Sequence, residues 1–195
     1  MTSRKQEKFE MILDAAEKVI AENGFHGSQV ARIAKEAGVA DGTIYLYFKN
    51  KEDILISLFQ NRLGSLVESF KNNISEQDSA EEALYKICDI HFSLLEENIH
   101  LAYVTQIELR QSSLELRKAI GQAVKPYIQL IEHILVKGVA DGSFRKSLDT
   151  RLTRQLIFGA MDEVVTSWLI SGQKYSLTAQ VANTVDFFIR GLKQV

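Results

Sequence analysis

The chain contains one cysteine and one proline among its 195 residues. A single cysteine, Cys88, excludes a disulfide framework within the chain and fits a reducing, cytoplasmic compartment. One proline leaves room for long helices and argues against a loop-rich fold made only of strands. No uncharged run approaches the roughly 20 residues of a membrane span, and the charged start of the chain lacks the apolar segment of a secretory signal peptide. We therefore expect a protein that is neither secreted nor embedded in a membrane.

Charge and enzyme motifs give little guidance to function. The net charge is −2 at pH 7, so the chain is not a basic nucleic-acid coat. There is no G-x-S-x-G elbow, no H-E-x-x-H pair and no Cys/His spacing typical of a metal site. The histidines are scattered, and His91 or His100 facing a cavity is an alternative to a structural role. Cys88 lies in a helical pattern between Ile87 and Ile90, which favours a buried core thiol over a nucleophile or sensor. We predict no enzyme, no metal and no cofactor.

Apolar residues recur at helical spacing along the chain. In the first segment, from Phe9 to Ile20, they follow the i, i+3, i+4, i+7 pattern of a helix with one buried face, which ends at Asn23-Gly24. Further stripes cover about 54–70, 80–97, 99–111, 113–139, 149–171 and 177–193, with short polar breaks between them. No segment shows convincing strand alternation. The pattern predicts an all-α fold in which sequential helices are neighbours.

Residues 28–48, SQVARIAKEAGVADGTIYLYF, predict two short helices joined by a turn. Ser28 is placed to cap the first helix, and Gly38 supplies the turn. A bihelical unit of this kind projects its second helix away from the core, where it fits the roughly 12 Å wide major groove of B-DNA. Tyrosine hydroxyls donate to phosphate oxygens, and threonine meets base edges or a thymine methyl group. The candidate exposed residues are Asp41, Gly42, Thr43, Tyr45 and Tyr47.

Two lysines, Lys49 and Lys51, follow this motif. Lys51 falls in the first turn of the next helix, where free backbone N–H groups already favour an anion such as phosphate. The alternative is that 28–53 is a small helical subdomain with solvated lysines. In the DNA-binding interpretation, residues 1–53 form an N-terminal three-helix helix-turn-helix domain, and a helix at about 52–72 connects this domain to the rest of the chain. Residues 54–195 then form a larger helical bundle.

The stretch GSQVARIAKEAGVADGTIYLYFKNKEDIL resembles the sequence signature of the tetracycline-repressor (TetR) family of transcriptional regulators. The family's I-A, A-G-V, G-T-[IL]-Y-x-[YH]-F and K-x-[KR]-[ED] elements are matched in order, and the resemblance covers roughly residues 8–60. It implies double-stranded operator DNA as a partner, and ligand binding and dimerisation as the roles of residues 54–195. By the family's pattern, Thr43 and Tyr45 would lie near bases or backbone, and Tyr47, Lys49 and Lys51 on phosphates. Ser28 and Gln29, at the start of the first motif helix, would also lie near the DNA backbone.

The chain departs from the family at one place in the second helix. The family often has Ser followed by Lys or Arg where this chain has Ala40-Asp41. That exchange removes a cap and a cation from the recognition helix. It leaves open which bases are read.

The last two helices are the best candidates for a homodimer interface. A helix-turn-helix protein binds tightly when two copies meet half-sites about 34–36 Å apart. Two helices from each subunit would form a four-helix interface, and the alternative is that these stripes pack only within one chain. The segment RQLIFGAMDEVVTSWLI offers Leu156, Gly159, Ala160, Val164 and Ser167, and the last helix offers Val181, Val185, Phe188 and Ile189.

The bundle also contains candidates for an effector site. Arg110 and Arg117, with Lys118, are placed either to hold phosphates at a cavity mouth or to form a solvated face with nearby glutamates. The residues that would line an apolar cavity, unless they form an ordinary core, are Phe92, Leu95, Tyr103, Ile107, Phe158, Met161, Val165 and Trp168.

Three stretches, VADGTIYLYFKNKEDILISLF, TQIELRQSSLELR and RQLIFGAMDEVVTSWLI, together resemble the subgroup of the family that represses fatty-acid degradation. Members of that subgroup release DNA on binding long-chain acyl-CoA. The resemblance implies an acyl tail in the apolar cavity and CoA phosphates near basic residues, for which Arg110 and Arg117 are the candidates. Two alternatives are a repressor of the same fold that controls efflux or other metabolism in response to an unrelated hydrophobic ligand, and an acyl-thioester enzyme.

Overall fold

A computed structural model describes residues 3–193, in which every regular element is helical and none is a strand. The predicted all-α class is therefore confirmed. The helices are α1 (Ser3–Gly27), α2 (Val30–Glu36), α3 (Asp41–Ile44), α4 (Lys51–Asn73), α5 (Ala80–Glu97), α6 (Ile99–Glu108), α7 (Leu114–Asp141), α8 (Thr150–Ile170) and α9 (Val181–Leu192), with a 3₁₀ turn at Thr178–Gln180.

Local sequence explains where several helices begin. The Ser79 side chain accepts a hydrogen bond from the Glu82 N–H and Glu82 bonds back to Ser79, so a capping box opens α5. Asn50 caps α4, because its Oδ1 accepts from the Asp53 N–H at 2.8 Å. The Asp149 carboxylate does the same for α8. These side chains satisfy backbone donors that have no partner inside the helix.

The chain forms two compact units. The first contains the residues up to Gly64 together with Ile99–Ala123, and the second contains Ser65–Asn98 together with the residues from Val124 on. The boundary predicted at residue 53 divides the chain by function and stays a prediction. The division by packing differs from it, because α6 and the first part of α7 belong to the same unit as the helix-turn-helix.

In the first unit, α6 and α2 both pack against α1. The buried face of α1 is the one that the sequence predicts, and it comprises Ile12, Leu13, Ala16, Val19 and Ile20. Arg62 of α4 ties that helix to α1, because its Nε lies 2.7 Å from a Glu17 carboxylate oxygen and a second guanidinium nitrogen contacts Asp14.

In the second unit, α9 packs against α5. Its inward face consists of Val181, Val185, Phe188 and Leu192, each no more than 7% exposed. The prediction that Val181 and Val185 face a partner subunit is therefore wrong, since these side chains form the core of their own chain. Phe188 also lines an apolar groove between α8 and α9, so its place in an interface stays a prediction. Cys88 of α5 is also buried, and desolvation raises the pKa of its thiol to about 12. This burial agrees with the core role expected for it.

Candidate DNA-binding surface and effector site

The helix-turn-helix is built around a glycine turn. Gly38 has a φ of +65°, a left-handed conformation that glycine adopts at low cost, and the Val39 N–H bonds the Ala34 carbonyl at 3.0 Å across the turn. Ile33, Ala34 and Ile44 are buried beneath it. The second helix, α3, spans only Asp41–Ile44, and turns replace the longer helix to Phe48 that the sequence favours.

The outer surface of α3 and the turns after it carries large side chains in solvent. Tyr45 is 58% exposed and Leu46 is 76% exposed. Thr43 and Tyr47 are half-buried, and the Lys5 ammonium lies 5.9 Å from the centre of the Tyr47 ring. The other predicted contact residues that lie in solvent are Gln29, Ala40, Asp41, Gly42 and Lys49.

Ser28 does not have the role expected for it. Its side chain is 2% exposed, and its Oγ donates to the Gly24 carbonyl at 2.7 Å and to the Val19 carbonyl at 3.1 Å. The N-cap of α2 is Gln29, without a side-chain bond. The predicted cap at Ser28 is wrong, and its buried hydroxyl donates to carbonyls of α1 instead, which argues against a side-chain contact to DNA.

Lys51 is also engaged within the protein. Its Nζ lies 3.0 Å from the Phe25 carbonyl, 3.2 Å from the Ser28 carbonyl and 3.4 Å from the His26 carbonyl. It also lies 4.5 Å from the centre of the Phe25 ring. A cation over the carbonyls at the end of α1 complements the helix dipole there. The geometry therefore argues against the expected phosphate contact, because the ammonium already holds the turn between α1 and α2.

A buried carboxylate completes the hydrogen bonds of that turn. The backbone of Gly24 leaves the helical conformation at φ 69° and ψ 161°, and the next N–H, that of Phe25, donates to Glu108 Oε1 at 2.7 Å. Gln111 holds the other Glu108 oxygen through its side-chain amide. Glu108 is 4% exposed. Sequence reasoning missed this contact because Glu108 is 83 residues from Phe25 and resembles a surface glutamate by pattern.

Two models of protein families match the chain. The model described as bacterial regulatory proteins of the tetR family matches residues 12–58. The model described as the C-terminal region of YsiA-like protein matches residues 59–191. The chain belongs to the TetR family.

Relatives within the TetR family resemble the chain over nearly its whole length. It is 50% identical over 189 residues to the fatty acid metabolism regulator protein of Bacillus subtilis strain 168, covering 97% of each chain. A crystal structure of the transcriptional regulator FadR from Bacillus subtilis in complex with stearoyl-CoA has a TM-score of 0.91, with 94% of this chain and 99% of that one covered at 50% identity. The fatty acid degradation regulator FadR from Bacillus halodurans also gives 0.91, at 49% identity and with 95% and 100% covered.

Most of the predicted effector residues of this TetR-family chain lie in the second unit. Phe92, Leu95, Met161, Val165 and Trp168 are buried there, with no more than 3% of each side chain exposed. The Trp168 indole N–H donates to the Tyr175 carbonyl at 2.8 Å, so this ring is anchored at its polar edge. Phe158 is half-buried.

The remaining predicted effector residues lie in the first unit. Tyr103 is half-buried, whereas Arg110 and Arg117 are exposed. Ile107 is 56% exposed, so its expected place in an enclosed apolar wall is wrong. Its position at the end of α6 leaves the side chain in solvent although its spacing matches the buried stripe.

Two buried polar residues of the second unit were not among the predicted site residues. Tyr127 had no expected role, and His91 had a cavity position only as an alternative. No described residue forms a hydrogen bond with either ring nitrogen of His91 on α5 or with the hydroxyl of Tyr127 on α7. The sequence marks His91 only as an alternative cavity residue, and Tyr127 occupies an ordinary apolar position of its helix. An absent partner is a property of packing, which no sequence pattern reports.

The predicted dimer face of α8 is open to solvent. Leu156 is 61% exposed, Gly159 and Ser167 are exposed, and Ala160 and Val164 are half-buried. On α9 the outward side chain is Phe187, which is 74% exposed, while Ile189 is half-buried. An apolar groove of about 660 Å³ lies between the two helices, lined among others by Leu156, Ile157, Ala160, Phe187 and Phe188.

Within residues 3–193, no group of three or more His, Cys, Asp or Glu side chains is placed to hold a metal ion. Over the same range, no helix is both long enough and apolar enough to cross a membrane.

Proposed function

We propose that this chain is a DNA-binding repressor of fatty-acid degradation genes that leaves its operator when a long-chain acyl-CoA binds. The observation that carries the proposal is the 50% identity to a fatty acid metabolism regulator across 97% of both chains, together with the likeness to FadR bound to stearoyl-CoA. On this proposal the chain acts in the cytoplasm, needs no cofactor and catalyses no reaction.

The DNA-facing surface is the outer side of α3 and the turns that follow it. Thr43 and Tyr45 are the candidates for contacts to bases or backbone, and Tyr47 and Lys49 for contacts to phosphate. Leu46 adds an exposed apolar side chain of the kind that meets a thymine methyl group. Asp41 carries a negative charge on the same surface, so Asp41→Asn should strengthen binding to every DNA sequence.

The second unit supplies the apolar surroundings that a long acyl chain needs. Phe92, Met161, Val165 and Trp168 are buried on α5 and α8 of that unit. Arg110 and Arg117 stay the candidates for the CoA phosphates, since both are exposed cations. Acyl-CoA must bind the released conformation better than the DNA-bound one, and a hundredfold loss of occupancy requires a coupling of about 2.7 kcal/mol.

A homodimer follows from the geometry of operator recognition. Two recognition helices about 34–36 Å apart read the two halves of a palindrome. The exposed apolar side chains Leu156 and Phe187, beside the small residues Gly159 and Ala160, provide a surface that a second copy would bury.

The proposal is tested by fluorescence anisotropy on a palindromic operator selected from random DNA, with stearoyl-CoA, stearate and CoA added separately. We expect release by stearoyl-CoA alone. An operator affinity that stearoyl-CoA leaves unchanged would contradict the effector part of the proposal. Arg117→Glu should weaken the response without changing DNA binding, and Arg151→Glu, an exposed arginine outside the cluster, is the matched control.

A further inference from the structure

Two polar side chains are enclosed in the second unit without any hydrogen bond from the described residues. They are His91, which is 8% exposed, and Tyr127, which is 1% exposed. Their ring centres are 5.7 Å apart. Two neighbouring rings of the interior therefore carry polar atoms without a partner.

The surroundings of this pair are aromatic. Phe70 lies 5.0 Å from the Tyr127 ring, Phe158 meets it edge-on at 5.5 Å, and Phe92 lies 5.8 Å from the His91 ring. None of these phenyl rings offers a conventional acceptor or donor. Buried polar groups are nearly always paired, and an exception calls for an absent partner such as water or a ligand. Unpaired polar atoms on two neighbouring rings indicate that a polar group binds beside them.

The pair can donate hydrogen bonds without carrying charge. Burial raises the pKa of Tyr127 well above its ordinary value, so the hydroxyl keeps its proton. Burial also lowers the pKa of His91 to about 4, so at neutral pH the imidazole is uncharged with one N–H donor. Cys88 and Asp162 are close enough to raise the Tyr127 pKa further. A neutral acceptor suits this site, whereas a carboxylate would be buried near another acidic group.

We propose that Tyr127 and His91 donate hydrogen bonds to the thioester carbonyl oxygen of a bound long-chain acyl thioester. A carbonyl oxygen has two lone pairs and accepts from both donors. This inference rests on the proposed function and adds to it the residues that read the functional group. It predicts that the protein binds an acyl thioester in preference to a free fatty acid, because a carboxylate placed there would lose its hydration without gaining a cation.

The test combines Tyr127→Phe with a ligand that lacks the carbonyl. Stearoyl-CoA is compared with S-octadecyl-CoA, a thioether in which a methylene replaces the carbonyl, by calorimetry and by operator release. Tyr127→Phe should weaken stearoyl-CoA binding about tenfold, the range of one net hydrogen bond. The wild type should bind the thioether at least tenfold more weakly than stearoyl-CoA, and Tyr127→Phe should not weaken thioether binding further.

Thermal stability separates a ligand role from a structural one. Tyr127→Phe removes an unsatisfied hydroxyl, so the melting temperature without ligand should stay the same or rise. Tyr85→Phe, at an exposed tyrosine of α5, is the matched control and should change neither stability nor binding. His91→Phe should weaken stearoyl-CoA binding in the same way as Tyr127→Phe.

The outcomes also distinguish this inference from the proposed function. If wild-type protein responds to stearoyl-CoA and Tyr127→Phe responds equally, only the carbonyl assignment is overturned. The same holds if wild-type protein binds the thioether as tightly as the thioester. If stearoyl-CoA does not release the wild type from operator DNA, the proposed effector fails and the assignment fails with it.

Discussion

Removing the Lys51 ammonium should destabilise the protein while leaving its phosphate contacts intact. Lys51→Met keeps most of the aliphatic stem and has a similar helix propensity. It removes the close bonds to the Phe25 and Ser28 carbonyls at 3.0 and 3.2 Å and the cation above the Phe25 ring. A hydrogen bond to a charged group contributes roughly 1.5–3 kcal/mol, and an exposed cation–π contact roughly 0.5–1 kcal/mol. Because Lys51 is partly solvated, we expect a net loss of about 2 kcal/mol.

Two assays on the same variant separate the two roles. Urea unfolding at fixed protein concentration measures the free energy of unfolding, and operator binding from 50 to 200 mM salt counts the phosphates neutralised. Lys49→Met, at an exposed lysine two residues earlier, is the matched variant. It should leave stability within about 0.5 kcal/mol and lower the salt slope by about 0.9 for each protomer that loses a contact. A Lys51→Met variant that keeps full stability and lowers the salt slope instead would show that the ammonium neutralises a phosphate and does not hold the turn.

Four further predictions concern single positions. Phe187→Glu should leave the fold intact but separate the dimer in sedimentation velocity; a variant that stays dimeric would place the interface elsewhere. Gly24→Ala should cost about 1–3 kcal/mol in urea unfolding, because φ 69° with ψ 161° is a conformation that essentially only glycine adopts. Cys88 should react with a thiol reagent at pH 8 only after unfolding, since burial raises its pKa to about 12. The pKa of His91 is about 4 in the folded chain, below its unfolded value of roughly 6.5. The free energy of unfolding should therefore fall by up to about 3 kcal/mol as the pH drops from 6.5 to 4, and His91→Phe should remove that loss.

Helices, and the turns and caps at their ends, can be predicted from the sequence because they depend on residues that are close together along the chain. The left-handed turn at Gly38 and the cap at Asn50 lie where residue type alone places them. Ser28 shows the limit of this reasoning. Its residue type suits a cap, but its hydroxyl finds closer acceptors on α1, and only the packing of the helices decides between the two.

Contacts between distant parts of the chain were not predictable in the same way. An apolar stripe gives the period of a helix but not which partner covers it, so Val181 and Val185 fitted an interface and a core equally well. The Lys51 contacts depend on the break at Gly24, which brings carbonyls at the end of α1 to its ammonium. The unpaired state of His91 and Tyr127 is visible only when every neighbour is in place.

The hydrogen bond from the Phe25 N–H to Glu108 limits where this regulator can be divided into parts that fold. A fragment that ends near residue 53 contains α1, α2 and α3, which include the helix-turn-helix. It lacks the Glu108 carboxylate that accepts the Phe25 N–H, and it lacks α6, which packs against α1. Such a fragment would expose an apolar face and leave a backbone donor without its partner. A chimera that transfers the DNA specificity of this chain to another regulator should therefore include Ile99–Ala123 as well. The unit that can be exchanged between two such proteins is thus made of two separate segments of the sequence.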